Sequence, residues 1–282
     1  MIRVVAPAST ANLGPGFDAA AAALDLWNEV VVEEGPFAVE IEGEGAGELP
    51  RDESHLALRA FALVAPLKGR RFRFTNRIPL ERGLGSSAAA IALGLVAAAG
   101  ANADTAQLLA LGAQLEGHTD NLAAALLGGV CLTWREDDRV RAERIADGLP
   151  LRLVVAVPAS RTRTEHSRNG LPATVPHADA AATVGAAARL GAAAATGNAA
   201  LLRAAFADRL HEPYRLATAP LLEELRSLGE GVTLSGSGPS VVVWADLADV
   251  ETVAAQVAEV APPDTTVLPL RVAEEGARIV DL

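Results

Sequence analysis

Strand-like alternation opens the chain at Met1-Ile2-Arg3-Val4-Val5. Residues 2–6, 28–34 and 37–42 read as strands, the last two predicted to form a hairpin around Gly35-Pro36. Residues 53–66 read as a helix, and 71–77 alternate as a further strand. From Ser86 to Ala99 an alanine- and leucine-rich run predicts a strong helix, stopped by Gly100. Helices at 104–116 and 120–127 follow. Gly128-Gly129 then leads into a strand at 130–134, and the acidic, arginine-rich stretch 135–148 reads as a hairpin and a boundary. The second half starts with a buried-type strand at 151–157. Helices near 176–195, 198–208 and 218–228, strands at 231–235 and 240–244, a helix at 249–260 and a strand at 266–272 complete it. The mixture predicts an α+β protein of two domains, 1–150 and 151–282.

Composition narrows the function classes. The chain has 282 residues, half of them apolar, enough for two cores. Its net charge of −11 argues against nucleic-acid binding, which calls for a basic face. No charge-free apolar run is long enough to cross a membrane, and the start lacks a signal peptide's basic region and cleavage site. A cytoplasmic protein with no membrane partner is therefore expected. Cys131 is the single cysteine, so no internal disulfide forms, and it reads as a packing residue. Lys68 is the single lysine, in Pro66-Leu67-Lys68-Gly69-Arg70-Arg71, which fits neither a Walker A loop nor a Schiff-base site. Cys-x-x-Cys, His-Glu-x-x-His and Gly-x-Ser-x-Gly are all missing from the sequence, which disfavours zinc and serine-hydrolase chemistry.

The central chemical signal is Pro79-Leu80-Glu81-Arg82-Gly83-Leu84-Gly85-Ser86-Ser87-Ala88. Two glycines turn the chain, two serines follow and an alanine-rich helix leaves. Open backbone N–H groups and the positive end of a helix dipole then converge on one point, which suits phosphate. A serine hydroxyl at the helix start can ligate Mg²⁺. Taken alone, the same residues also suit a plain turn with Ser86 as cap.

Two further motifs change that balance. Ser9-Thr10-Ala11-Asn12-Leu13-Gly14-Pro15-Gly16-Phe17-Asp18 lies near the start, and Leu234-Ser235-Gly236-Ser237-Gly238-Pro239-Ser240 lies between two apolar strands near the end. In this order and spacing, the three motifs resemble those of the GHMP kinases, over nearly the whole chain. Within that family the match is best with the homoserine kinases. Glu116-Gly117-His118-Thr119-Asp120-Asn121 is similar to their Glu-Gly-His-Pro-Asp-Asn segment, with Thr119 in place of proline. The 158–168 segment and His211-Glu212-Pro213-Tyr214-Arg215 match two more of their signatures. Ala19 to Ala23 depart from the larger apolar residues usual there, and His55 stands where relatives often carry an adenine-contacting asparagine.

The resemblance implies a GHMP kinase fold: an N-terminal domain like domain 2 of ribosomal protein S5, then a ferredoxin-like domain, with the site between them. It implies ATP and Mg²⁺, L-homoserine as acceptor, and a homodimer, with another GHMP small-molecule kinase, such as one for mevalonate, or a non-catalytic ligand-binding relative as the rival readings. Pro79, Arg82, Gly83, Leu84, Gly85, Ser86, Ser87 and Ala88 would hold ATP, with Gly236, Ser237 and Gly238 closing the site. Ser87 and Glu116 would take the metal. Asp18, helped by Asn12, suits the substrate ammonium; Arg168 and Arg215 suit its carboxylate; His118 and Thr164 fall at the same pocket. Asn121 is expected beside the attacking hydroxyl. Asparagine is no base at neutral pH, so it would orient rather than deprotonate, and Asp120 is the rival candidate for a base.

Overall fold

The structure is a computed structural model that describes residues 1–281 apart from 102, 163 and 230, and of residues 164–166 the backbone only. Among the described residues the longer strands form two sheets. The first takes β1 (Ile2–Ala11), β2 (Ala20–Glu34), β3 (Ala38–Gly43), β4 (Arg70–Asn76), β5 (Val130–Glu136), β6 (Arg139–Ala146) and, from the far end of the chain, β11 (Arg278–Val280). Its order is β11-β1-β2-β4-β3, with β5 on the start of β2 and β6 on β5. The second sheet is β7 (Arg152–Val157), β8 (Val232–Leu234), β9 (Val241–Ala245) and β10 (Thr266–Leu270), antiparallel in the order β10-β7-β9-β8. Helices α5 (Thr164–Asn169), α6 (His177–Thr196), α7 (Ala199–Arg203) and α8 (Leu221–Arg226) lie between β7 and β8, and α9 (Val250–Val260) lies between β9 and β10. That is a ferredoxin-like arrangement.

Pattern explains how the sheets pack. β7 is apolar at every position from Leu153 to Val157 because both its faces are covered. Leu153, Val155 and Val157 join the main core shared with the first sheet. Val154 and Ala156 turn to a smaller core under α8 and α9. In the first half, α1 (Leu56–Ala62), α2 (Ser86–Ala99), α3 (Thr105–Gly112) and α4 (Thr119–Leu127) follow in order. α2 is apolar nearly all round and buried along most of its length, as expected of a central helix. The alanines that looked anomalous, Ala20 to Ala23, are fully buried in β2. Ala21 and Ala23 meet Ala11, Ala124 of α4 and Ala273, and their small side chains let helix and sheet approach closely.

Several expectations need correction. The predicted hairpin at Gly35-Pro36 does not form: β3 pairs in parallel with β4, and β4 separates it from β2. β2 begins eight residues earlier than expected, at Ala20 rather than 28. The helices expected at 198–208 and 218–228 shrink to Ala199–Arg203 and Leu221–Arg226. Short β11 was not anticipated. It pairs antiparallel with β1, so the last residues of the chain complete the first sheet although β7 to β10 all lie after residue 150.

Candidate active site

Gly85 sets the start of α2 in the left-handed conformation, φ 66°, and no side chain caps that end. The first-turn N–H groups of a fourteen-residue helix therefore face the cavity beside it. Glycine is required twice over. A Cβ on Gly85 would collide with Ser9 Oγ, and one on Gly83, φ 75°, with the Ser235 carbonyl.

Those collisions reflect how the three motifs interlock. Ser9 N donates to Leu84 O (3.1 Å) and Gly236 N to Ala11 O (3.1 Å). Ser235 Oγ donates to Gly83 O (2.7 Å) and lies 2.9 Å from Thr10 Oγ1. Asn12 Nδ2 donates to Gly236 O (2.9 Å), and its Oδ1 accepts from Asp18 N (3.0 Å). The amide of Asn12 is thus engaged by backbone on both sides. These bonds hold a loop in which Asn12, Leu13 and Asp18 all have positive φ. Such strain in non-glycine residues persists only where the surroundings over-determine it, and it gathers at functional sites.

The opposite wall carries charge. Arg168 donates to Asp18 Oδ1 at 2.6 Å. Arg215 is buried, with Nη1 on Gly236 O and His211 Nδ1, both 3.1 Å away. Burial, and then the charge of Arg168, lower its pKa. The Phe17 ring lies 5.4 Å from the Arg215 guanidinium and 5.7 Å from that of Arg168. At the start of α4, His118 Nδ1 is 2.8 Å from Glu116 Oε1, which raises the histidine pKa. Asp120 Oδ1 accepts from Asn121 N (2.7 Å) and Nδ2 (3.3 Å), and burial pushes the carboxyl up to about 6. Asn121 Oδ1 accepts from Ser9 Oγ (2.8 Å), beside Gly85.

One cavity of about 230 Å³ gathers nearly every residue singled out in the sequence. Gly238 does not line it, and the side chain of Thr164, on α5, lies outside the described residues. Arg82 lines the cavity but its guanidinium donates to the carbonyls of Leu80, Pro158 and Ala159, fastening the phosphate loop to the segment after β7. His55 is elsewhere: buried, it caps α1 through Nδ1 and stacks on Phe74.

Comparison with known proteins gives this cavity a family. Residues 55–129 match the family described as GHMP kinases N terminal domain, and 185–262 match GHMP kinases C terminal. A homoserine kinase of Streptomyces coelicolor is 43% identical, over 100% of this chain and 95% of its own. The chain belongs to the homoserine kinase family of GHMP kinases. A putative homoserine kinase from Listeria monocytogenes superposes with a TM-score of 0.80 at 26% identity, covering all of both chains. The fold of a homoserine kinase from Cytophaga hutchinsonii matches with a TM-score of 0.87 at 24% identity, over 99% of this chain and 97% of that one.

As a GHMP kinase the chain is a small-molecule kinase, with ATP as the donor its family implies. Mg²⁺ is usual for such kinases, and the donor types at the cavity fit it. Ser87 is exposed at the first turn of α2, Glu116 lines the same cavity with one oxygen against His118, and hydroxyl and carboxylate oxygens are the hard ligands this ion prefers. Among the described residues no group of three or more His, Cys, Asp or Glu gathers as an ion cage, at this cavity or elsewhere. Ser9, Phe17, Thr162, His211 and Ser235 had no role assigned from sequence. All five stood inside segments already recognised, which was the available signal.

Proposed function

We propose that this kinase transfers the γ-phosphoryl group of ATP to the side-chain hydroxyl of L-homoserine, giving O-phospho-L-homoserine and ADP. One observation carries the reading. An acid, two arginines and a hydroxyl-orienting amide share one cavity with an uncapped helix N-terminus. A zwitterion with a terminal alcohol matches that set group for group.

Asp18 receives the substrate ammonium, while Arg168 and Arg215 take the carboxylate. The Asp18–Arg168 pair exchanges its mutual contact for those of the substrate. The N–H groups of α2 and the hydroxyls of Ser86 and Ser87 receive phosphate oxygens. Ser87 and Glu116 would hold Mg²⁺, which would supply charge neutralisation at the phosphates. Asn121 aligns the hydroxyl for attack on phosphorus; a new O–P bond forms, the bond to ADP breaks, and the hydroxyl proton leaves to a phosphate oxygen. Positioning and charge stabilisation dominate such transfers, so a strong side-chain base is unnecessary. Asp120 supports this division of labour, because its Oδ1 is engaged by Asn121. Asp120→Asn should then keep at least about a tenth of wild-type kcat, the scale of one weakened hydrogen bond. A loss of a thousandfold or more would make Asp120 the base.

A further inference from the structure

His211 lies outside the cavity yet touches what forms its wall. Its side chain is fully enclosed. Nε2 is 2.8 Å from the carbonyl of Gly14, an acceptor only, so Nε2 carries the hydrogen. Nδ1 is then an acceptor, and Arg215 Nη1 lies 3.1 Å from it. The imidazole also stacks on Phe17, centroids 4.9 Å apart and planes at 22°. Phe17 in turn faces both arginines. Asp208 fixes the backbone beneath, accepting the N–H groups of Leu210, His211 and Glu212. Arg215 Nε is buried with no partner, so the orientation of its guanidinium rests on the Nη1 contacts and the ring.

We infer that His211, as its neutral Nε2–H tautomer, is the positioning residue that aims Arg215 at the acceptor's carboxylate, with Phe17 as the spacer between the two arginines. The inference rests on the proposed reaction, in which Arg215 grips that carboxylate. It makes His211 a determinant of acceptor selectivity without contact to the acceptor. The glycine-rich first loop and the arginine are coupled through one ring, so Gly14 on one side and Arg215 on the other move together.

The test compares wild type with His211→Phe, which keeps a ring on Phe17 and deletes both nitrogens, the Nδ1 acceptor of Arg215 and the Nε2–H donor to Gly14. Steady-state constants are measured for ATP, for L-homoserine and for 3-aminopropan-1-ol, which lacks only the carboxylate. In His211→Phe the KM for L-homoserine should rise about tenfold or more, as for a lost hydrogen bond to a charged group. The KM for ATP and the kcat/KM for the amino alcohol should stay within about twofold, since neither uses Arg215. A second pair covers the case in which the phenylalanine variant does not fold. His211→Asn places an oxygen near the Nδ1 position and should restore most of the affinity, whereas His211→Gln, reaching toward Gly14, should not. An unchanged homoserine KM in an active variant, or parallel losses with all three substrates, overturns the inference while leaving the reaction intact. Wild-type protein inactive on homoserine removes both.

Discussion

Ser9 Oγ donates to Asn121 Oδ1 across 2.8 Å, joining β1 to the first turn of α4 beside Gly85. Together with the contact of Nδ2 to Asp120, the bond sets which way the asparagine amide faces, oxygen to Ser9 and nitrogen to Asp120. Ser9→Ala should free that amide. We expect kcat to fall about tenfold, near the worth of one hydrogen bond, with little change in the KM for ATP. Steady-state kinetics of the purified variant check this.

Gly85→Ala tests the phosphate loop. Its φ of 66° costs alanine roughly 1–2 kcal/mol, and the new Cβ must displace Ser9. The KM for ATP should rise at least about tenfold and the melting temperature should fall by several degrees. Thermal melts with and without ATP would show the nucleotide's stabilising shift reduced as well.

The Asp18–Arg168 pair separates binding from stability. Both side chains are more than 40% exposed, so the pair is worth at most about 1 kcal/mol to the fold. Arg168→Ala and Asp18→Asn should each leave the melting temperature within a few degrees of wild type. Each should raise the KM for L-homoserine by roughly 30- to 100-fold, the scale of a lost hydrogen bond to an ion.

Two buried carboxyls predict pH effects. Asp120 titrates at about 6, and only its charged form holds Asn121 strongly. Activity should therefore fall as pH drops through about 6, and Asp120→Asn should flatten that limb of the log kcat profile. Glu212 acts on stability instead. Burial pushes it up to about 8, against the opposing pull of Leu234 N and Arg226. The folded chain then holds a proton that the unfolded chain releases near 4.5. This contribution is full below about pH 4.5 and is lost as pH rises through about 8. Melts of Glu212→Gln between pH 5 and 8.5 should show a smaller decline with pH than wild type.

Much of the site was legible before the structure because each motif demands a specific backbone. Gly83 and Gly85 must adopt positive φ at a helix start, and no common side chain substitutes there. What escaped was long-range. Gly35-Pro36 signals a turn, but the partner of β3 is β4, some thirty residues on, and a local signal cannot name it. β11 is only three residues long, and its place follows from β1 needing a neighbour rather than from its own pattern. Asn12 lines the cavity, and no local pattern told that its amide also bonds Asp18 N within its own motif and Gly236 O of the last motif. Arg82 likewise holds three carbonyls that no spacing rule links to it.

The most direct test of the central claim is ADP release by the purified protein with Mg-ATP and L-homoserine, set against L-serine, L-threonine, mevalonate and no acceptor, with the product identified by phosphorus NMR. Strong stimulation by L-homoserine alone, with a phosphomonoester on its side-chain oxygen, is the predicted result. Stimulation by mevalonate but not by homoserine would contradict the role given to Asp18, because mevalonate carries a carboxylate and an alcohol but no ammonium.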